Sequence, residues 1–109
     1  MTVKELSAAC DLEVVCLADC ERNVSGAYVG DLLSWVMGRA SCDNVWITIM
    51  SNANVIAVAS LSDVSCVILA EGVKPDDDII RLAKEKGINI LSTTLPTFEA
   101  AVKISEFVK

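Results

Sequence analysis

Four short stretches of the chain are almost continuously apolar, and a polar residue follows each of them within two positions. They cover residues 12–17, 44–49, 65–70 and 88–91. Strands buried on both faces of a parallel sheet have this composition, because neither face meets water. The hydrophobic pattern therefore predicts four strands.

Two helices are predicted near the ends of the chain. Thr2 and Glu5 have the spacing of a capping box, which predicts a helix over residues 3–9. Residues 96–108 predict an amphipathic closing helix. One side of that helix is predicted to carry Phe98, Ala101, Val102, Ser105 and Val108.

The strongest helix signal lies between the last two predicted strands. Pro75 suits the first position of a helix, where its missing N–H costs little, and three aspartates that follow it suit the positive end of the helix dipole. Gly87, after Lys84 and Lys86, is a typical helix end. We predict a helix from Pro75 to residue 86.

Two segments are ambiguous from their pattern alone. Residues 27–29 lie between two glycines and fit either a brief strand or an extended loop. Residues from Asn52 or Asn54 to Ser60 are apolar on every side, and their β-branched content makes a strand a rival to a capped helix.

Residues 32–37 form a short segment in which five of six side chains are apolar. A helix of this composition has no polar face and must be covered on both sides. Because strands and helices alternate along the rest of the chain, we predict a single α/β domain over residues 1–109. Its expected architecture is three layers, with a mostly parallel sheet of four or five strands flanked by helices.

The central part of the sequence resembles a known family. Residues 22–34 read Arg-Asn-Val-Ser-Gly-Ala-Tyr-Val-Gly-Asp-Leu-Leu-Ser, and Val36-Met37 and then Val45-Trp46-Ile47-Thr48 follow. This pattern resembles the DRTGG domain family over essentially the whole chain. Residues 21–26 keep the acid, the arginine and one glycine of the tract that names the family, and residues 49–54 lack a histidine expected in stand-alone relatives.

The resemblance implies a small α/β regulatory module, similar in fold to the N-terminal domain of HPr kinase/phosphorylase. Such modules occur beside CBS domains in some pyrophosphatases, beside phosphotransacetylase catalytic domains, and as short stand-alone proteins. For the ambiguous segment that ends at Ser60, the family pattern favours a helix. Small residues at Ala53, Ala57 and Ser60 would let that helix pack closely on a sheet.

The composition excludes several classes of protein. Apolar residues make up 53% of the 109 residues. No run is long enough to cross a bilayer, however, so we expect no membrane partner. The net charge of −6 disfavours binding to nucleic acid. The first residues lack a basic segment that leads into an apolar one, and we expect a cytoplasmic protein.

The five cysteines predict neither a disulfide framework nor a metal site. Their number is odd, and Cys16 and Cys66 lie within apolar runs, as small buried hydrophobic residues do. The spacing of Cys10, Cys16 and Cys20 matches no common zinc or iron–sulfur pattern. We expect no metal and no cofactor.

The sequence also lacks the usual catalytic motifs. Phosphoryl transfer needs a phosphate-binding loop with a lysine, but the Gly26–Gly30 pair precedes Asp31 instead. The chain contains no histidine, so the commonest general base near neutral pH is missing. We therefore do not expect an enzyme.

Polar residues follow the predicted strands at the edge of the sheet where α/β proteins usually bind ligands. The candidate ligand-binding residues are Ser51, Asn52, Asn54, Gly72, Ser92 and Thr93. Beside helix N-termini, such groups either bind a small anionic or nucleotide ligand or simply cap the helices. Arg22 and Glu21 have a similar ambiguity, because they can contact an anion or form a surface ion pair.

The apolar excess near residues 26–40 predicts a subunit interface, because one sheet face covers only about half of such a helix. The candidate interface residues are Tyr28, Val29, Leu32, Leu33, Trp35 and Val36. The leading hypothesis, which the resemblance implies, is a non-catalytic, homodimeric module that modulates a metabolic enzyme or another partner protein. The alternatives are a sensor for a nucleotide or small anionic metabolite, and an auxiliary HPr kinase-related protein without its own phosphate-binding loop.

Overall fold

The computed structural model describes residues 1–109 and contains five helices and five strands. The helices are α1 (Val3–Ala9), α2 (Leu33–Arg39), α3 (Ala53–Ser62), α4 (Asp77–Lys86) and α5 (Thr97–Ser105). The strands are β1 (Glu13–Cys16), β2 (Ala27–Val29), β3 (Val45–Thr48), β4 (Cys66–Leu69) and β5 (Ile90–Ser92). The predicted α/β class is confirmed.

The five strands form one sheet in the order β1-β5-β4-β3-β2. Strands β2 to β5 run parallel to one another, while β1 pairs antiparallel with β5. The register between β1 and β5 shifts between Val14 and Cys16. The sheet is therefore mostly parallel, as predicted, and its two edges are the short strands β1 and β2.

The core lies on both faces of β3 and β4, whose eight residues are all buried. Trp46 and Val67 pack with α2, α3 and α4 on one face, whereas Ile47 and Ile68 pack with α1 and α5 on the other. Successive strand residues alternate between the two faces, so an apolar run fills both cores. The result is the predicted three-layer arrangement.

Both ambiguous segments take a defined structure. Residues Ala27–Val29 form a strand that pairs with β3. The Tyr28 ring packs over Gly30, where an added Cβ would lie 2.9 Å from Cε2 of the ring, so the glycine permits this contact. The segment that ends near Ser60 is a helix, and the Asn52 side chain caps it.

Some predicted boundaries were wrong. Asp76 has an extended backbone and is the N-cap of α4, so Pro75 precedes the helix and is buried. Strand β5 reaches Ser92, which the sequence placed in a loop, because that residue continues the pairing with Leu69.

The predicted apolar side of α5 was right for Val108 but wrong for Phe98, Val102 and Ser105. The buried residues are Ala100, Ile104 and Val108, which are spaced by four and pack on the sheet. The Phe98 side chain is 78% exposed instead, and Val102 is 46% exposed. The prediction followed the bulky side chain of Phe98, which turned the predicted side away from Ala100 and Ile104. None of the five helices has the length and apolar character needed to cross a bilayer.

Arg22 joins three loops at the amino ends of the parallel strands. Its Nε atom donates to the carboxylate of Asp43 at 2.8 Å, and its Nη2 atom donates to the Asp63 carboxylate at 2.9 Å and carbonyl at 2.8 Å. Asp43 has a φ of 66° and Asp63 a φ of 55°. Both values lie in the left-handed region, which few side chains adopt. Arg22 therefore pairs within the chain, with these two acids rather than with Glu21.

Cys42 adds a further contact to the same group. Its thiol donates to Oδ2 of Asp63 at 3.2 Å. The pKa of the Asp63 carboxyl is lowered below its ordinary value. The largest cause is this hydrogen bond, and the hydrogen bonds from Arg22 come next. A lowered pKa means that the folded state favours the carboxylate, so the group stabilises the fold above its ordinary pKa and loses that effect in acid.

Replacing Arg22 should destabilise the domain, because two carboxylates and one carbonyl lose a charged donor. Arg22→Ala should lower the free energy of unfolding by about 1–3 kcal/mol at neutral pH, measured by urea denaturation. The difference from wild type should shrink as the pH falls from 3.8, the ordinary pKa of Asp63, through the lower pKa of this carboxyl in the folded protein, where it becomes protonated.

Arg81→Ala is the matched control, because Arg81 pairs with Asp78 on the exposed surface of α4. Exposed pairs contribute about 0–1 kcal/mol, so this variant should stay near wild type. Equal losses from the two substitutions would mean that Arg22 does not hold the three loops together.

Candidate functional site

The carboxyl ends of the four parallel strands meet at one edge of the sheet, as expected for a ligand-binding crevice. Asp31 lies near the end of β2, Thr48 ends β3, Glu71 lies beyond β4, and Ser92 ends β5. This edge contains every candidate ligand-binding residue that follows a strand.

Asn52 and its neighbours lie at the start of α3, where their polar groups serve the helix end. The Asn52 side chain accepts the N–H of Asn54 at 3.0 Å, which is a helix-capping bond. Asn54 is exposed, and Ser51 is half-buried. The geometry therefore gives Asn52 a local structural role, and only its remaining polar atoms are free.

Gly72, Ser92 and Thr93 lie together and hold two turns in place. The N–H of Gly72 donates to the carbonyl of Thr93 at 2.9 Å. The buried Ser92 hydroxyl donates to the carbonyl of Val73 at 3.3 Å, and the Thr93 hydroxyl accepts the N–H of Leu95 at 3.2 Å. Gly72 has a φ of 74°. A side chain would be strained at that value, so glycine suits the turn.

The two groups do not converge on one pocket. Ser51 and Asn52 border a cleft of about 10 Å³ that is otherwise mostly apolar, with Met50, Pro75 and Ile79 among its walls. Neither Gly72, Ser92 nor Thr93 lines it. A cleft of this volume has room for about one water molecule.

Asp31 is a structural member of this edge that the sequence analysis did not select. Its carboxylate accepts the Thr48 hydroxyl at 2.6 Å and the N–H of Ile49 at 3.1 Å, so it joins the loops after β2 and β3. The sequence signal that could have identified Asp31 is an acidic residue directly after a glycine at the end of a strand. From the sequence alone, Asp31 was noted only because it occupies the position at which a phosphate-binding loop has a lysine.

The charges at this edge are mainly negative. Asp31, Glu71 and Glu13 all lie there. The Glu13 carboxylate pairs with the Lys74 ammonium group at 2.8 Å. The Glu71 carboxylate accepts the N–H of Thr97 at 3.2 Å and so occupies the start of α5. An incoming phosphate would therefore meet carboxylates before it met a free cation.

The candidate interface residues are divided between the surface and the core. Val29, Leu32 and Trp35 are 46%, 58% and 52% exposed, whereas Tyr28 and Leu33 are half-buried. Val36 is fully buried against the sheet, so its inclusion was wrong. Val36 packs α2 on the core, and any helix that covers a sheet needs a buried side of this kind.

The Arg39 guanidinium lies 3.9 Å from the centre of the Trp35 ring. This cation–π contact covers one face of the indole. Leu32 and Trp35 leave apolar surface at the start of α2 that no other part of the chain covers. Val29 pairs with Ile47 and so lies on the opposite face of the sheet from α2.

Four of the five cysteine thiols are held in their protonated form. Burial raises the pKa of Cys66 to about 12, and burial also raises the pKa of Cys10 and of Cys16. The Cys42 pKa is raised first by the hydrogen bond to Asp63. No group of three or more cysteine or carboxylate side chains is arranged to hold a metal ion.

A solved structure with the same fold is the regulatory region of Clostridium perfringens pyrophosphatase, which contains CBS and DRTGG domains and is complexed with the activator diadenosine tetraphosphate. The two share 19% sequence identity with a TM-score of 0.73. The alignment covers 94% of this chain and 45% of that chain, so this chain spans less than half of the regulatory region.

A search of curated proteins gave no match. The profile of the DRTGG domain matches residues 5–107, which is nearly the whole sequence. The chain therefore belongs to the DRTGG domain family.

Proposed function

We propose that this chain is a non-catalytic regulatory module that acts as a homodimer and modulates a metabolic enzyme or another partner protein. The observation that carries the proposal is the exposed apolar surface of Leu32 and Trp35, together with the half-buried Tyr28 on the sheet face that α2 covers, which we call the α2 patch. Trp and Tyr side chains are enriched at the centres of protein interfaces.

The α2 patch exposes two large apolar side chains close together in the sequence. Leu32, the N-cap of α2, and Trp35, in its first turn, are each more than half exposed. Burial of apolar area stabilises association by roughly 25 cal/mol per Å², so covering these side chains favours a complex. A second copy of the chain is always available as a partner, and closed two-fold dimers are the commonest assemblies.

The side-chain chemistry supports a role without catalysis. The buried thiols of Cys10, Cys16 and Cys66 have raised pKa values, so thiolate nucleophiles are disfavoured near neutral pH. Arg22 and Asp31 are used in contacts between loops. A module of this kind affects a partner by binding to it, as the family membership also suggests.

Charge placed in the α2 patch should separate the two copies. Trp35→Glu should shift the protein toward the monomer in sedimentation velocity, because a carboxylate buried at an interface is costly. Circular dichroism should stay unchanged, since the Trp35 side chain is largely outside the core.

Phe98→Glu is the matched control, because Phe98 is an exposed aromatic residue on the opposite helix layer. This variant should remain a dimer. The proposal is wrong if the wild-type protein sediments as a monomer at micromolar concentration, or if only Phe98→Glu dissociates it.

A second candidate function is the sensing of a nucleotide at the carboxyl ends of the strands. The observation that favours it is the related fold of a regulatory region that was solved with diadenosine tetraphosphate. On this chain, Ser51 and Asn52 border a small cleft at that edge, and Thr93 lies outside the cleft, after β5. The carboxylates of Asp31 and Glu71 would have to be compensated by the ligand's counterions.

Asn52→Asp tests this second candidate with little change in stability, because Asp and Asn cap helices about equally well. The added negative charge should weaken the binding of diadenosine tetraphosphate, measured by isothermal titration calorimetry. Asn23→Asp makes the same chemical change on a residue outside the strand-end edge and should leave binding unaltered. Absence of wild-type binding, or equal binding by Asn52→Asp, would contradict the assignment.

A further inference from the structure

Helix α3 has an exposed side without any charge. The sequence contains no acidic or basic residue between Asp43 and Asp63, and α3 lies within that stretch. Ala53, Ala57 and Leu61 are spaced by four, so they share one side of the helix, and all three are exposed. The Leu61 side chain is 74% exposed, which makes it one of the most exposed apolar residues of the chain.

A groove runs beside this exposed side, between α3 and α4. Its volume is about 210 Å³, which is large enough for an aliphatic side chain. Most of its lining is apolar, and it consists of Ala53, Ile56, Ala57, Ser60, Leu61, Leu82 and Lys86. Ala53 and Ala57 contribute small side chains to the lining of this groove, and Leu61 projects from the same side of α3.

We propose that two copies of this chain associate through α3, with the helices antiparallel about a two-fold axis at Ala57, so that Leu61 of each copy enters the partner's groove beside Ala53. This inference rests on the proposed homodimer and assigns its central contact. Ala53 and Leu61 are equally distant from Ala57 along the helix. Such an axis therefore places the large side chain of one copy over the small one of the other, in both directions.

The charges of α4 favour the same antiparallel arrangement. Asp77 and Asp78 occupy the first turn of α4, and Lys84 and Lys86 occupy its last turn. Asp78, Leu82 and Lys86 repeat the spacing of four seen on α3. A two-fold axis that crosses both helices at right angles brings the acidic end of α4 in one copy to the basic end in the other.

The uncharged surface of α3 also decides where two such chains can meet. Each copy has a net charge of −6, so contact elsewhere tends to oppose acidic residues. Helix α3 has ten residues. A helix of that size is about 15 Å long, while a stable interface needs about 800 Å² from each partner, so α3 alone is too small. The same axis brings α2 and α4 into the interface, because these helices cover the same face of the sheet.

Cysteine cross-linking provides a direct test of the axis. Packed helices approach to about 8–10 Å between axes, and each Cα lies about 2.3 Å from its axis, so two Ala57 Cα atoms on the two-fold would be about 3.4–5.4 Å apart. Disulfides span Cα separations of about 4.4–6.8 Å. In a background of Cys20→Ser and Cys42→Ser, Ala57→Cys should form a covalent dimer on mild oxidation.

Ser105→Cys in the same background is the control, because Ser105 lies exposed on α5 in the opposite layer. It should stay uncross-linked. As a second measurement, Ala57→Glu should shift the sedimentation of the protein toward the monomer, since two carboxylates would meet on the axis.

The results separate this inference from the proposed function. If Trp35→Glu dissociates the dimer while Ala57→Cys does not cross-link and Ala57→Glu stays dimeric, the homodimer is correct and the α3 axis is wrong. If the wild-type protein is a monomer, both are wrong. Cross-linking through Ser105→Cys at the rate of Ala57→Cys would also overturn the α3 axis, because it would indicate random collision.

Discussion

The structure depends on the burial of β3 and β4 on both faces. Every residue of these strands is inaccessible to water, so each face needs its own layer of helices with apolar sides. Three helices cover one face and two cover the other. The unequal number follows from the order of the strands, because the crossovers from β2 to β5 all lie on one side, and the chain ends supply the other layer.

Two-sided burial also explains which parts of the fold the sequence predicts. The short apolar run around Val45–Thr48 is rich in β-branched and aromatic residues, so its strand was predicted within one residue at each end. The sequence did not reveal the antiparallel direction of β1, because direction depends on which edge the chain reaches after α1. Ala100 and Ile104 on the buried side of α5 were missed because the bulky but exposed Phe98 dominated the hydrophobic pattern.

The sequence predicted where the candidate site lies, but not which of its polar groups are free to bind a ligand. Parallel strands place the polar residues after β3, β4 and β5 at one edge, and this follows from topology. Whether such residues bind a ligand depends on what else occupies their hydrogen-bonding groups. Asn52 caps α3, and the Ser92 hydroxyl bonds to the carbonyl of Val73, which sequence spacing does not show because the partner lies in another loop. Arg22 likewise pairs with acids that are 21 and 41 positions away.

The short edge strands limit how this molecule can associate. Strand β2 has three residues, and β1 has four with an irregular register, so neither edge offers a long row of unpaired backbone groups. Long, flat edges allow chains to add strand to strand without limit, which leads to fibres. In this domain, growth of the sheet is blocked at both ends, and contact between molecules is left to helix side chains. Symmetric contact between helices closes after a fixed number of copies. Apolar side chains that would promote aggregation beside a long sheet edge therefore lead here to assemblies of fixed size.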